Sequence, residues 1–447
     1  MKLFTSCLVV FLCYLAGSVS GQGLANLISQ AQWQAMFPQR AGTAAGHPQG
    51  YTSDFYAYQK LQLAMQQMAD YRATIETKAG VWGERITITR LGSGQQYVYA
   101  QPDNNWLQST VPITTQVINF ADFANTPSIA QNKRELAAFL AHISKETTGG
   151  WQFPIGGGSF GDYALWGLYF VHEVGYTPAN SAGAYAQAHP LYPPNPAKGY
   201  YGRGPIQLSW NYNYGQFSQF LFNDASILLN DPDSLQRDGV IAFQSALWFW
   251  MMPQCPKPSC HQVMHGRWVP QAGAYSAGKM YQQGFAHTNN IINGGLECRT
   301  TSTPAFTEKV VLRSGLYKYY LGLMGFSAAE IAAEDSGHFT TTCYDSSGQA
   351  MENYLQCDVL PTIQTAVVNW AQSGLKAYPS PFSSQLLIEL PDVQPMVSLV
   401  VRNSLGQVVY RGLVQKKLEL QTTDWPSGIY LLQLMPGLGD VIKIIKY

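Results

Sequence analysis

Two glutamates in this chain stand where proton-transfer chemistry would put them. Glu146 closes an apolar run and is followed by Thr147-Thr148-Gly149-Gly150-Trp151. Leu136, Phe139, Leu140 and Ile143 recur at helical spacing, so Asn132 to Thr147 is predicted as a helix. Asn132 is its expected N-cap and Gly149-Gly150 its stop. Glu146 then lies in the last turn, at the negative end of the helix dipole, a setting that suits a proton donor. Glu173 sits in Tyr169-Phe170-Val171-His172-Glu173-Val174-Gly175-Tyr176, just after a glycine-rich stretch. One carboxyl that gives a proton and another that activates water or attacks carbon are what cleavage of a glycosidic bond requires. The chain has 27 acidic residues, so two carboxylates mean nothing without their context. For Glu146 the plain alternative is an exposed ion pair with Lys145.

Metal and phosphate chemistry fit less well. His172-Glu173 would need a second His four residues on, and Tyr176 stands there, so the zinc-protease motif fails. His142 and Glu146 are one helical turn apart, but a lone pair at that spacing is usually incidental. No Gly-Lys-Ser/Thr follows Gly156-Gly157-Gly158, so that run is not a phosphate cradle. No CxxC pair occurs. Neither a metal nor an organic cofactor is expected.

Composition narrows the partners. Lys+Arg and Asp+Glu balance at 27 each, which argues against nucleic acid. Only 12% of residues are charged while 13% are aromatic, a composition that suits a neutral polymer as ligand and equally a large aromatic core. Lys2 and the apolar run Leu3 to Leu15, followed by Ala16-Gly17-Ser18-Val19-Ser20-Gly21, predict a signal peptide over residues 1–21. The run is too short to span a bilayer, so no integral membrane segment is expected after its removal. Export permits disulfides. Five cysteines then remain, and Cys255 and Cys260, flanking Pro256-Lys257-Pro258, are the expected pair. Cys298 is left with Cys343 or Cys357, and one thiol is odd.

The elements that must position these groups read as follows. Helices are predicted over Leu24 to Phe37, Phe55 to Ile75, Asp233 to Met252 and Glu308 to Tyr320. Trp248 and Trp250 are expected in the core. Residues 80–120 read as a small β-rich insertion. From residue 376 onward, short β-like runs separated by turn signals predict a small β-sandwich. The densest polar and aromatic stretch is Tyr200-Tyr201-Gly202-Arg203-Gly204-Pro205-Ile206-Gln207-Leu208-Ser209-Trp210-Asn211-Tyr212-Asn213-Tyr214-Gly215. It offers amides, a hydroxyl and flat rings to an acetamido sugar. Asn289 to Cys298 is a second polar cluster.

Together, Glu146 to Trp151, Tyr200 to Gly215, Ala246 to Met251 and Asn290 to Cys298 resemble the family 19 glycoside hydrolases, the chitinases of plants and bacteria. The resemblance covers roughly residues 25 to 345, with 80–120 as an apparent insertion. It implies a mainly α, lysozyme-like, two-lobed catalytic domain that hydrolyses chitin with inversion. By position, Glu146 would be the general acid, Glu173 the general base, and Ser209 would help hold the water. Gln207, Tyr212, Asn213 and Asn293 would line sugar subsites, with Trp166 a cleft aromatic. Glu297 and Arg313 would form a supporting charged pair. Inversion implies carboxyl groups roughly 6.5–9.5 Å apart. Lys145 departs from the family, which usually has His before the acid, and that bears on the pH optimum. The segment Gly161 to Val174 also lacks a cysteine common there in plant members.

Tyr378-Pro379-Ser380-Pro381-Phe382, Asn403 to Val409, Gly428-Ile429-Tyr430 and Lys443 to Lys446 resemble the C-terminal sorting domain of the bacterial type IX secretion system. The expected plan is thus a signal peptide (1–21), a catalytic domain (22–360), a linker (361–375) and a sorting domain (376–447). The expected partners are chitin or its oligosaccharides and the secretion machinery, at a secreted or cell-surface location. The rival readings are a hydrolase of peptidoglycan or chitosan, and a catalytically inactive chitin binder.

Overall fold

The computed structural model describes residues 23–41, 53–78, 81–150, 163–254, 258–267, 284–297 and 304–335. Toward the C-terminus it describes 376–378, 382–389, 397–403, 408–414, 416–435 and 441–446. The predicted signal peptide, Trp151, the glycine run at 156–158, Cys255, Cys298, Cys343, Cys357 and the linker at 361–375 lie outside the described residues. Of the predicted disulfide cysteines only Cys260 is described, and it is buried.

The first part is built from helices α1 (Gln30–Met36), α2 (Tyr58–Met68), α3 (Asn104–Gln108), α4 (Ile129–Thr147), α5 (Asn211–Phe222) and α6 (Ser226–Asn230). It continues with α7 (Ser234–Arg237), α8 (Gly239–Met251), α9 (Cys260–Met264), α10 (Phe285–Glu297), α11 (Pro304–Leu323) and α12 (Ala328–Asp335). Among the described residues it carries one sheet, of strands β1 (Tyr71–Lys78), β2 (Val81–Arg90), β3 (Gln96–Ala100) and β4 (Ile113–Asn119). The domain is therefore mainly α with a small β-rich insertion.

The helix that carries Glu146 starts three residues earlier than predicted. Ser128, not Asn132, is its N-cap and accepts from the Gln131 amide at 3.2 Å. Asn132 is buried and binds the preceding turn instead, accepting from Thr126 N at 2.7 Å and donating to Thr126 O at 2.8 Å. The stop also has a different cause. Thr148 ends α4, and a side chain on Gly149 would meet the Tyr169 ring at 2.4 Å. That glycine is a close approach of backbone to ring rather than a left-handed cap.

The predicted helix from Phe55 to Ile75 is two elements. The stripe Leu61, Ala64 and Met68 is buried on α2, which ends before a turn at Ala69-Asp70. From Tyr71 the burial period falls to two: Tyr71, Ala73 and Ile75 point inward. The sheet order is β3-β2-β1-β4, antiparallel throughout, so β1 is an inner strand. The insertion thus begins near residue 71 rather than 80. Its inner face rests on α5: Tyr71 Oη donates to Leu221 O at 3.0 Å, and the Tyr71 and Phe220 rings stack 4.8 Å apart. Helix α8 starts at Gly239, where Asp238 caps the Val240 amide at 2.8 Å. Asp233, predicted to open that helix, instead pairs with buried Arg203 at 2.5 Å. Trp248 and Trp250 are core residues as expected.

The C-terminal part is all β. Strands β5 (Lys376–Tyr378), β6 (Gln385–Glu389) and β9 (Lys417–Gln421) form one sheet in the order β5-β6-β9. Strands β7 (Val397–Asn403), β8 (Val408–Val414), β10 (Gly428–Met435) and β11 (Val441–Lys446) form the other, in the order β11-β10-β7-β8. Alternate residues of both sheets, including Leu386, Ile388, Leu399, Val401, Leu432 and Ile444, make its own core. It is a small sandwich, as predicted.

Candidate active site

Short sets of backbone bonds anchor the segments of the two glutamates. Thr147, next to Glu146, accepts from Tyr169 N at 3.2 Å and Phe170 N at 2.9 Å through its carbonyl. Its hydroxyl donates to Ile143 O at 2.6 Å and accepts from Leu168 N at 2.9 Å. Gly149 N donates to Trp166 O at 3.1 Å. The chain leaving this junction runs straight to Glu173. There Val171 O accepts from Gly204 N at 2.8 Å, and Glu173 N donates to Gly202 O at 2.8 Å. The predicted acid and cleft aromatic are therefore held by one set of main-chain bonds, and the predicted base, three residues beyond it, by a second set to the strip at Gly202 to Gly204.

Around Glu146 the structure gathers Arg313, Glu297, Asn293 and Lys145. Arg313 and Glu297 are each 1% exposed. Arg313 donates from Nη2 both to Glu146 Oε1 and, at 2.9 Å, to Glu297 Oε1; its Nε adds a bond to Glu297 Oε2 at 2.9 Å. Asn293 sits at a kink in α10 and donates to Glu297 Oε1 at 2.8 Å. Burial would raise the Glu297 carboxyl, but Arg313, with help from Asn293 and Lys145, holds it below the usual range. The plain Lys145–Glu146 pair is thus not the arrangement found: the cation bonded to Glu146 is Arg313.

His142 extends this cluster and was not anticipated in that role. Arg313 Nη1 lies 3.1 Å from His142 Nδ1, so that nitrogen must accept. Nε2 then carries the hydrogen and meets Thr288 Oγ1 at 2.8 Å, while the Thr288 hydroxyl donates to Phe285 O at 2.6 Å. Burial first, and then Arg313, keep the imidazole neutral. Both ring nitrogens are taken, so neither is left to share a metal with Glu146. Tyr163, whose hydroxyl burial pushes up to about 12, also feels the charges of Arg313 and Glu146.

Lys145 is held down to about 8 by burial, reinforced by Arg313 and opposed by Glu146 and Glu297. Its unfolded value is near 10.4. The unfolded state therefore binds more protons between those values, and stability should rise with pH across that window. Lys145→Met should raise the thermal midpoint at pH 7 and flatten the gain between about pH 8 and 10. Melting curves in which the variant is no more stable at pH 7 would refute this.

The second group surrounds Glu173. Its Oε1 accepts from Tyr185 Oη at 2.8 Å and its Oε2 from Gly202 N at 3.2 Å. Burial, and then the bond to Glu173, keep the Tyr185 phenol firmly protonated, so it is the donor. Ser209 Oγ donates to Gln207 O at 2.9 Å, Gln207 Nε2 to Gly204 O at 2.9 Å, and Asn213 Nδ2 to Ser209 O at 2.8 Å. A side chain on Gly202 would meet Gln207 Oε1 at 2.8 Å, which places Gln207 against the strip that holds Glu173. Tyr212 stands on the first turn of α5, its ring nearly parallel to Trp210. Arg203 anchors the whole strip from beneath, donating to Gly199 O at 3.0 Å, Tyr201 O at 3.2 Å and Tyr214 Oη at 2.9 Å. No sequence motif marks His142, Thr288, Tyr163 or Tyr185, because their partners come from distant segments.

Glu135, His261 and His265 form a separate buried cluster whose ligand atoms lie within 4.8 Å of one another. Its carboxylate is fully bonded already. Oε1 faces Trp250 Nε1 at 2.9 Å and His261 Nδ1 at 2.7 Å; Oε2 faces Ala124 N at 2.8 Å and His265 Nε2 at 2.7 Å. This is the pattern of a satisfied structural carboxylate.

The family profile described as chitinase class I, of glycoside hydrolase family 19, matches residues 104–332, half of the chain. The chain belongs to this family. A profile of the secretion system C-terminal sorting domain matches residues 376–446, and the protein is accordingly a secreted or cell-surface one. Among similar proteins, an endochitinase of Carica papaya is 45% identical over 207 residues, covering 46% of this chain and 77% of that protein. An endochitinase of Persea americana is 46% identical over 209 residues, which are 47% of this chain and 58% of that protein. The match thus spans little more than half of the Persea americana protein. A Hevea brasiliensis protein named inactive chitinase-like protein 1 is 47% identical over 201 residues, covering 45% of this chain and 58% of that protein. Among solved structures, chitinase C from Streptomyces griseus is 25% identical, with a TM-score of 0.40 over 71% of this chain and 80% of that one.

Proposed function

We propose that this protein is an endo-acting chitinase that hydrolyses β-1,4 links between N-acetylglucosamine units with inversion. Glu146 protonates the leaving oxygen. Glu173, oriented by Tyr185 and the Gly202 amide, takes the proton of a water held with the help of Ser209. Gln207, Tyr212, Asn213, Asn293 and Trp166 bind sugar units, and Glu297 and Arg313 fix Glu146. Residues 376–446 address the protein to the type IX secretion machinery, and Cys255–Cys260 is the proposed disulfide. A relative of the same identity is named inactive, so identity alone does not decide activity. The observation that carries the reading is the pair of backbone anchors, Thr147 to Tyr169 and Phe170 and Glu173 to Gly202, since a two-carboxylate reaction needs both groups held in place.

Proton NMR of fresh products from chitin hexaose tests it, run on the mature protein and on Glu173→Gln. α-Anomers that vanish in the variant are expected. β-Anomers would overturn inversion. Binding without cleavage would favour the inactive binder, and faster cleavage of peptidoglycan or chitosan in parallel would reassign the glycan.

A further inference from the structure

A cavity of about 390 Å³ lies between the inserted sheet and the start of α5. That volume is within the range of about 300–1,000 Å³ typical of small-molecule sites. One wall is Tyr212 and Asn213; the other is Glu84, Tyr99 and Gln101, from β2, β3 and the residue after β3. The sheet side precedes residue 104, where the family match begins.

From this juxtaposition we propose that the insertion builds a further sugar subsite, which takes an additional N-acetylated amino-sugar unit of the substrate chain. The inference rests on the chitinase reading and deepens it. Three observations carry it. The cavity borders the catalytic strip: Asn213, which lines it, is bonded to the Ser209 carbonyl at 2.8 Å. Flat rings gather beside it: Trp210, 38% exposed, lies at 15° to Tyr212, and His189 lies at 30° to Tyr212. The apolar face of a pyranose packs on such rings. Finally, Gln254 lines the cavity, and its buried Nε2 has no hydrogen-bond partner among the described residues. A buried amide left unbonded is costly, and an acetamido carbonyl would satisfy it. Glu84 and Gln101 offer acceptors to sugar hydroxyls. Only one ionisable carboxylate is present, as a neutral ligand requires.

Calorimetric titration of chitin triose and hexaose into a Glu146→Gln protein tests this, alone and combined with Gln254→Leu or Gln101→Trp. The first change removes the orphan donor, and the second, at an exposed position, fills the cavity. Hexaose affinity should fall about 5-fold in each, the value of one hydrogen bond, while triose affinity holds. Hexaose affinity that is unchanged, or that falls no more than triose affinity, would overturn the subsite and leave the chitinase reading intact. A wild-type protein that neither binds nor cleaves the hexaose would overturn both.

Discussion

Glu146→Gln should lower turnover of chitin hexaose by about 10³-fold while leaving oligosaccharide binding intact, because a positioned general acid contributes about 10²–10⁴. The amide keeps the shape of the carboxyl and can still accept from Arg313, so the cluster around it should persist. It has no proton to give at the leaving oxygen. The measurement is kcat by reducing-end release beside affinity by calorimetry. Near-wild-type turnover would sink the acid assignment. Lost binding together with lost turnover would instead mark Glu146 as a structural group. The comparison is informative because buried Arg313 keeps Glu297 as its counter-ion when Glu146 is replaced.

Arg313→Met should destabilise the fold by about 3–5 kcal/mol at pH 7, the usual result of removing one partner of a buried ion pair. Glu297 would be left 1% exposed with Asn293 as its remaining short contact. His142 Nδ1 would lose its donor as well. The pH dependence should change sign. In the native protein the Glu297 carboxyl is held low, so its contribution is present above its unfolded value, near 4.3, and is lost as pH falls through the lower folded value. Without Arg313, burial is opposed only by Asn293 and Lys145, so the carboxyl should rise toward the neutral acid and the variant should gain relative stability on acidification. Denaturant unfolding at pH 7 and pH 4 reads both effects. A loss below about 1 kcal/mol at pH 7, the value of an exposed ion pair, would contradict the buried-cluster account.

Much of this was legible from residue order, for identifiable reasons. The stripe through Leu136, Phe139, Leu140 and Ile143 has one period over a long run, so α4 could be read and Glu146 placed in its last turn. The alternation in the C-terminal strands was equally plain. Tyr71 to Ile75 reads as helix from sequence because a short apolar run after a true helix fits either period; what decides it is the pairing with Ile86 to Arg90 and Gln116 to Asn119. Asn132 has the right chemistry for a cap, yet Ser128 is the residue with extended backbone there. The residues that were missed share a different trait. His142 meets Thr288 and Arg313 across more than a hundred residues, and Tyr185 meets Glu173 only because both flank the strip from Tyr200 to Ser209. Chemistry of that kind is visible only after folding.

The larger apolar cluster ends at Met324, and the smaller one begins at Phe382; they have no residue in common. Removal of residues 376–446 would therefore withdraw no described side chain from the interior that supports the glutamates. The address and the enzyme are separable goods: shedding the sorting domain would leave the hydrolase every buried side chain described in its own core.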